Sequence, residues 1–339
     1  MSDIAKSILG GGWSLVAGWI LPTAVNVFLF GIFVLPSLHG IALADELSHA
    51  SVGQRSLVAL AVSAVLGLIL SALQVPLYRV LEGYLFWPQW LASKSRGRQL
   101  RAKQLLAGRR EWLRLHALET QGALAQADQE KYDMLAADRR VQRSAKRDEK
   151  RTKVQRALLA ERLRRYPVDD GQMAPTRLGN AIRRHEEYGY QRYLLDSQAL
   201  WYELTAAAPK QLTQQVDAAR AGVDFFVCLL YGNLLVALAA LVSLSASHAR
   251  YLTLLVTSVT LVAASFIWYR LAVVTTDDWA LAVRALVDVG RKPLASALSL
   301  NLPKDLSQER EMWSRYSRYV RQPHDSRRPP NLDEFRKGG

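Results

Sequence analysis

Phe225 to Leu244 reads FFVCLLYGNLLVALAALVSL, a run of apolar and small residues without a single charge. A helix of about 20 such residues is long enough to cross a hydrocarbon core of about 30 Å. Just downstream, Tyr251 to Tyr269 (YLTLLVTSVTLVAASFIWY) repeats the pattern. An earlier pair, Leu15 to Leu38 and Leu57 to Leu77, has the same character. Two apolar pairs around a long polar insert set the expected fold class: all-α, a polytopic membrane protein with four transmembrane helices and a long helical or coiled-coil cytosolic insert.

The charge distribution orients these spans. Lys94 to Arg220 holds 27 Lys or Arg against 16 Asp or Glu, so most of the chain's +14 lies in the insert. Lys94, Arg96, Arg98, Arg101 and Lys103 follow the second span closely, whereas the loops Pro36 to Ser56 and Ser245 to Arg250 carry only Arg55 and Arg250. Positive flanks stay on the cytoplasmic side. Both termini and residues 91–222 are therefore expected to face the cytoplasm, with Ser48 and Ser247 outside. The first span is longer than the apolar region of a signal peptide, although Lys6 precedes it and Ala42-Leu43-Ala44 resembles a cleavage site. It reads as a retained helix.

The expected organisation is spans 1 and 2 with an interfacial exit (1–90), a basic helical or coiled-coil segment (91–166) and a small Arg/Tyr/Trp-rich helical module (167–222). Spans 3 and 4 (223–270), helices inside (271–320) and a disordered tail (321–339) follow. Trp13, Trp19, Tyr78, Tyr84, Trp87 and Trp90 flank the spans, where amphipathic rings favour the headgroup layer. Pro22, Pro36 and Pro76 are expected to kink or end the first two spans.

Gln99 to Tyr166 has no proline and is dominated by strong helix formers. Leu106, Leu113, Ala127, Met134 and Val141 keep a seven-residue spacing that Thr120 breaks. One continuous helix over these residues would reach about 100 Å. A bend at Gly122 would instead fold it back, and the irregular heptad leaves self-association and a hairpin both open. Asp138 to Arg156 carries nine positive and three negative side chains. Its simplest reading is a solvated helix with pairs such as Glu149–Lys153. Anionic lipid and a nucleic-acid backbone are the other partners such charge could meet.

Thr176 to Pro209 changes character, mixing Arg, Glu, Tyr, Trp, Asn and Gly. Arg177, Asn180, Glu187, Arg192, Asp196 and Trp201 are the network or ligand candidates, and Tyr193 is expected to hold them. Pro175-Thr176-Arg177-Leu178-Gly179-Asn180, with Glu187-Tyr188, Arg192-Tyr193, Asp196, Trp201 and Leu204, resembles a pattern in an uncharacterised group of bacterial four-span integral membrane proteins. That resemblance implies a shared architecture and no activity. Beyond the last span, Thr275-Thr276-Asp277-Asp278 is expected to cap a new helix. Gly290 and Pro293 are expected to interrupt it.

No motif carries an obvious reaction. Gly10-Gly11-Gly12 lacks the Gly-Lys-Ser/Thr of a phosphate loop. His185-Glu186-Glu187 lacks a second histidine, and Cys228, the one cysteine, lies inside a span. No metal and no cofactor is expected, and no catalytic residue is assigned. The intramembrane polar residues Asn26, Gln74, Asp224 and Asn233 are expected to face other helices, as packing contacts or as a pore lining. The leading expectation is a non-enzymatic inner-membrane protein, an anchor or regulated pore, whose helical cytosolic domain forms a homo-oligomer or docks a cytosolic protein partner. The alternatives are a membrane-tethered nucleic-acid-binding protein, which the lack of a DNA-reading fold disfavours, and a membrane enzyme or sensor with a ligand site in 176–201.

Overall fold

A computed structural model of the protein describes residues 12–38, 46, 50–148, 152–246, 249–322 and 331–336. Gly10–Gly11, the Ala42-Leu43-Ala44 stretch, Glu149 of the expected pair, Ser48 and Ser247 lie outside these residues. The described residues are helical throughout, apart from turns, loops and one isolated bridge between Leu300 and Arg336. Four helices are long and apolar enough to cross a membrane, within 12–37, 52–72, 210–245 and 251–297.

The chain divides into two units. The first joins residues 1–78 to 189–339, and the second is residues 79–188.

In the first unit a π-helical turn, Val16–Ile20, leads into α1 (Leu21–Phe33). Pro22 follows the π-turn closely, and the helix runs on through it as far as Phe33. The helix stops before Pro36. A capping box starts α2 (Val52–Ala72): the Ser51 hydroxyl accepts from the Gln54 N–H, while the Gln54 side chain accepts from the Ser51 N–H. A break at Leu73 separates α2 from α3 (Gln74–Glu82). Leu57, Leu60, Val65 and Leu68 are exposed, so most of the α2 surface is apolar.

The spine of this unit is a pair of long helices, numbered α11 (Lys210–Val242) and α12 (Tyr251–Ala297) by their place in the chain. They pack along one another, and α1 packs on α11. Val34, Val236, Ala237, Ala240, Leu254 and Leu261 close one end of this bundle. At 1.5 Å per residue, α12's 47 residues extend about 70 Å, more than twice a hydrocarbon core. The expected cap at Thr275–Asp278 is thereby corrected. Thr275 and Thr276 instead donate their hydroxyls back to the carbonyls of Leu271 and Val273, which lets them sit inside the helix. Pro293 also lies within the helix and does not end it.

The second unit answers the question left by the heptads. Residues 99–166 are not one rod: α4 (Gln89–Glu119), α5 (Gln126–Ala137), α6 (Arg139–Asp148) and α7 (Thr152–Leu163) fold back, with α5, α6 and α7 all packing on α4. The turn after α4 is made at Gly122, whose φ of +67° favours glycine. Trp112, Leu113, Val141 and Leu159 form the core, with Leu105, Leu106, Tyr132 and Leu135 around it. Burial of about 1.5–3 kcal/mol per large side chain explains why the stripe folds back on its own sequence.

Candidate functional site

Polar side chains inside an apolar bundle have to find partners, and in the first unit they gather on α11. Asp224, Cys228 and Gly232 recur every four residues, so they share the face toward α1. Asp224 is 6% exposed. The Tyr78 hydroxyl donates to its Oδ1 at 2.7 Å, and the Trp19 indole also donates to the carboxylate. Arg220, one turn earlier, places Nε 3.9 Å from the Asp224 Oδ2 and donates from Nη2 to Gln74 Oε1 at 3.2 Å. Its guanidinium lies 5.8 Å from the centre of the Trp279 ring.

A cleft of about 160 Å³ opens beside this group, lined by Trp19, Ser71, Gln74, Asp217, Arg220 and Asp224. That is room for about five waters. The close approach of the first helix depends on Gly18, where an added Cβ would lie 3.1 Å from the Asp224 Cβ. Further along, Thr23 donates to the Trp19 carbonyl at 2.6 Å and lies 3.3 Å from the Cys228 sulfur. Beyond it the Asn26 amide fills the space over Gly232, where any Cβ would clash with its nitrogen. Asn26, Asp224 and Asn233 are all buried and Gln74 is half-buried. Cys228 is fully buried beside Thr23, an inert setting for a thiol.

The six candidates of the 176–201 stretch divide between the two units. Arg177, Asn180 and Glu187 belong to the second. Asn180, fully buried, accepts from the Ala174 N–H and donates to the carbonyls of Ala174 and Thr176. Thr176 caps α8 (Arg177–Glu186) by accepting from the Gly179 N–H. A Cβ on Gly179 would meet the Glu82 carbonyl at 2.8 Å, and one on Gly83 (φ +90°) would meet Pro175 at 2.8 Å. The Pro-Thr-Arg-Leu-Gly-Asn run therefore builds a tight helix start packed on the end of α3. Arg177 itself is exposed. Burial raises the Glu187 carboxyl above its ordinary value, and Arg183 and Arg184 oppose that rise. Glu82 and Glu186 are also raised, chiefly by burial.

Arg192, Asp196 and Trp201 belong to the first unit. There α9 (Tyr188–Tyr193) and α10 (Trp201–Ala207) meet the far part of α12 and a further helix, α13 (Leu306–Arg321). Asp196 accepts from Arg321 Nε at 2.6 Å, and its backbone N–H donates to Ser317. Arg192 is exposed and contributes its carbonyl, which accepts from Arg310. Trp201 is half-buried at the start of α10. Within each unit the candidates make their own contacts, with Arg177 and Arg192 exposed.

The strongest of these centres on Tyr193, but its partners were not singled out in sequence. Tyr193 donates to Asp288 Oδ1 at 2.7 Å, and Arg291 lies 4.5 Å over the Tyr193 ring. Arg291 Nε also donates at 2.7 Å to Glu309, which is 5% exposed and accepts from the Trp313 indole. Burial and the neighbouring Asp288 raise the Tyr193 phenol. One signal was available: Glu309, Met312, Trp313 and Ser317 fall on one helical face, which puts a carboxylate beside large apolar side chains. The partners on α12 carried none.

The tail also needs correction. Residues 331–336 are ordered against the end of α12 and α13, with Leu332 and Phe335 each 8% exposed. Among the described residues no group of three or more His, Cys, Asp or Glu could hold a metal ion. Comparisons with protein-family models, with curated proteins and with solved structures give no match.

Proposed function

We propose that the chain is a non-enzymatic membrane protein whose helical region outside the bilayer docks a protein partner or further copies and acts on the spans through α12. The observation that carries this reading is the continuity of α12. One uninterrupted helix holds both the apolar span that begins at Tyr251 and the residues Asp288 and Arg291 that fasten α9 and α13. A displacement of that clamp moves the same rigid element that borders the polar cleft through Trp279. The charge bias supports an orientation with both termini and residues 91–222 on the cytoplasmic side. The spans then serve as anchor or as regulated pore. The nucleic-acid and enzyme readings gain no support from the site geometry.

The test uses the intact protein in dye-loaded liposomes with a fluorophore at Val259, which is exposed on the span. Arg291→Ala unfastens α13 from α12. If α12 transmits, the fluorophore's emission shifts between the two proteins. Dye release accompanying the shift identifies a pore, and a shift without release identifies an anchor. Identical emission in both proteins would refute transmission.

A further inference from the structure

The Asn331–Arg336 segment is held the way a bound peptide is held. Asn301 donates its N–H to the Phe335 carbonyl at 2.7 Å, and Leu300 and Arg336 form an antiparallel bridge. Arg315 on α13 is the anchor. It donates to the Asn331 carbonyl at 2.9 Å, pairs with Glu334 at 2.6 Å and lies 5.5 Å over the Phe335 ring. Backbone pairing with alternate side chains in pockets is a common mode of peptide recognition. Here the backbone pairing, the acid and the aromatic ring are all read by one short stretch and one arginine.

The segment does not fill the space it occupies. A cleft of about 420 Å³ remains beside it, lined by Leu298, Leu300, Tyr316, Tyr319, Leu332 and Asp333. Tyr316, Tyr319 and Leu298, none of them buried, offer ring and side-chain area there that residues 331–336 leave unused.

We propose that this face is a peptide-docking groove, held in cis by residues 331–336, and that it takes an acidic–aromatic segment of a partner protein which also fills the cleft. Tethering decides between a partner and a second copy. The residues between Gln322 and Asn331 span at most about 30 Å, so the tethered segment competes at an effective concentration in the millimolar range. The same sequence on another copy gains nothing over it. A partner whose side chain enters the cleft does. The inference stands apart from the transmission reading, since it concerns what the groove recognises and not what α12 does.

The experiment measures fluorescence anisotropy of a labelled peptide of residues 329–337 with the detergent-solubilised chain. At least ten-fold tighter binding to the chain truncated after Gln322 than to the intact chain is expected, and Arg315→Glu in the truncated chain should abolish it. Phe335→Ala in the intact chain should open the groove as truncation does, which covers the case of a truncated chain that fails to fold. The same peptide carrying Asp333→Phe, with a ring for the cleft, should bind the intact chain at least ten-fold tighter than the natural peptide. Equal binding to intact and opened chains, or none to either, overturns the groove. No gain from the added ring overturns the partner, as does self-association of the intact chain that Phe335→Ala dissolves, because a second copy is then the occupant.

Discussion

Two glycines in the second unit should respond in opposite directions to the same added methyl group. At Gly179 a Cβ would lie 2.8 Å from the Glu82 carbonyl oxygen, 3.0 Å from the Ala174 Cβ and 3.1 Å from the Glu82 Cα. Two of these three are backbone atoms, which cannot swing aside, and the loop is pinned by Asn180 through Ala174 and Thr176. Overpacking of this kind is destabilising by about 1–3 kcal/mol. At Gly97, inside α4, nothing lies within 4 Å of the added atom, and Gly→Ala in a helix interior stabilises by about 0.5–1 kcal/mol. The two variants should therefore differ by roughly 1.5–4 kcal/mol in the stability of residues 79–188. Hydrogen exchange of α4 and α8 amides in the detergent-solubilised protein reads that stability locally. Gly179→Ala as stable as the parent would refute the account of the Pro-Thr-Arg-Leu-Gly-Asn run as a close-packed helix start, and Gly97→Ala less stable would refute the open space along α4.

Asp224→Ala leaves the buried Tyr78 hydroxyl without its acceptor, a loss of about 1–3 kcal/mol, while Asp224→Asn keeps an acceptor and loses less; thermal unfolding in detergent orders the two. Leu113→Ala empties a fully buried position and should cost about 2–5 kcal/mol, read as protease sensitivity of residues 89–163. Glu82 and Glu186 have folded values raised above the ordinary 4.5, so their favourable contribution is complete below that value and is lost as pH rises through the raised ones. Glu186→Gln should then stabilise the second unit more at pH 8 than at pH 4, as seen in melting midpoints at the two values. Glu111, lowered by Arg114 and Lys131, works with the opposite sign, and Glu111→Gln should harm the same unit at pH 7 and lose its effect as pH falls below the usual carboxylate range.

The spans were legible because length and apolarity are local properties of the chain. The fold-back of 99–166 was half legible: Leu106, Leu113 and Trp112 announced a stripe and the 158–163 stretch was one of several covers it could have found, but the choice of Val141 and Leu159 is a long-range fact. Thr275 to Asp278 misled because the residues that cap helices also sit inside them when a hydroxyl bonds back to its own helix. Asp224 was visible as an oddity at the edge of an apolar run. Its partners Tyr78 and Trp19 lie far away in sequence and gave no sign of the pairing. Composition hid the docking of 331–336, since prolines and polar residues around Leu332 and Phe335 read as disorder.

The discontinuity of the first unit sets a timetable for its assembly. Asn26 packs over Gly232, yet 206 residues of chain separate them. At about 5–20 residues per second of synthesis, the first helix waits roughly 10–40 s for α11 to emerge. Its polar groups are equipped for that wait. The Asn26 amide N–H donates to the Pro22 carbonyl at 2.9 Å and the Thr23 hydroxyl to the Trp19 carbonyl at 2.6 Å, so both donors are satisfied within their own helix before any partner arrives. Asp224 has only a distant cation on its own helix, and it enters last, when the donors at Trp19 and Tyr78 already stand in place.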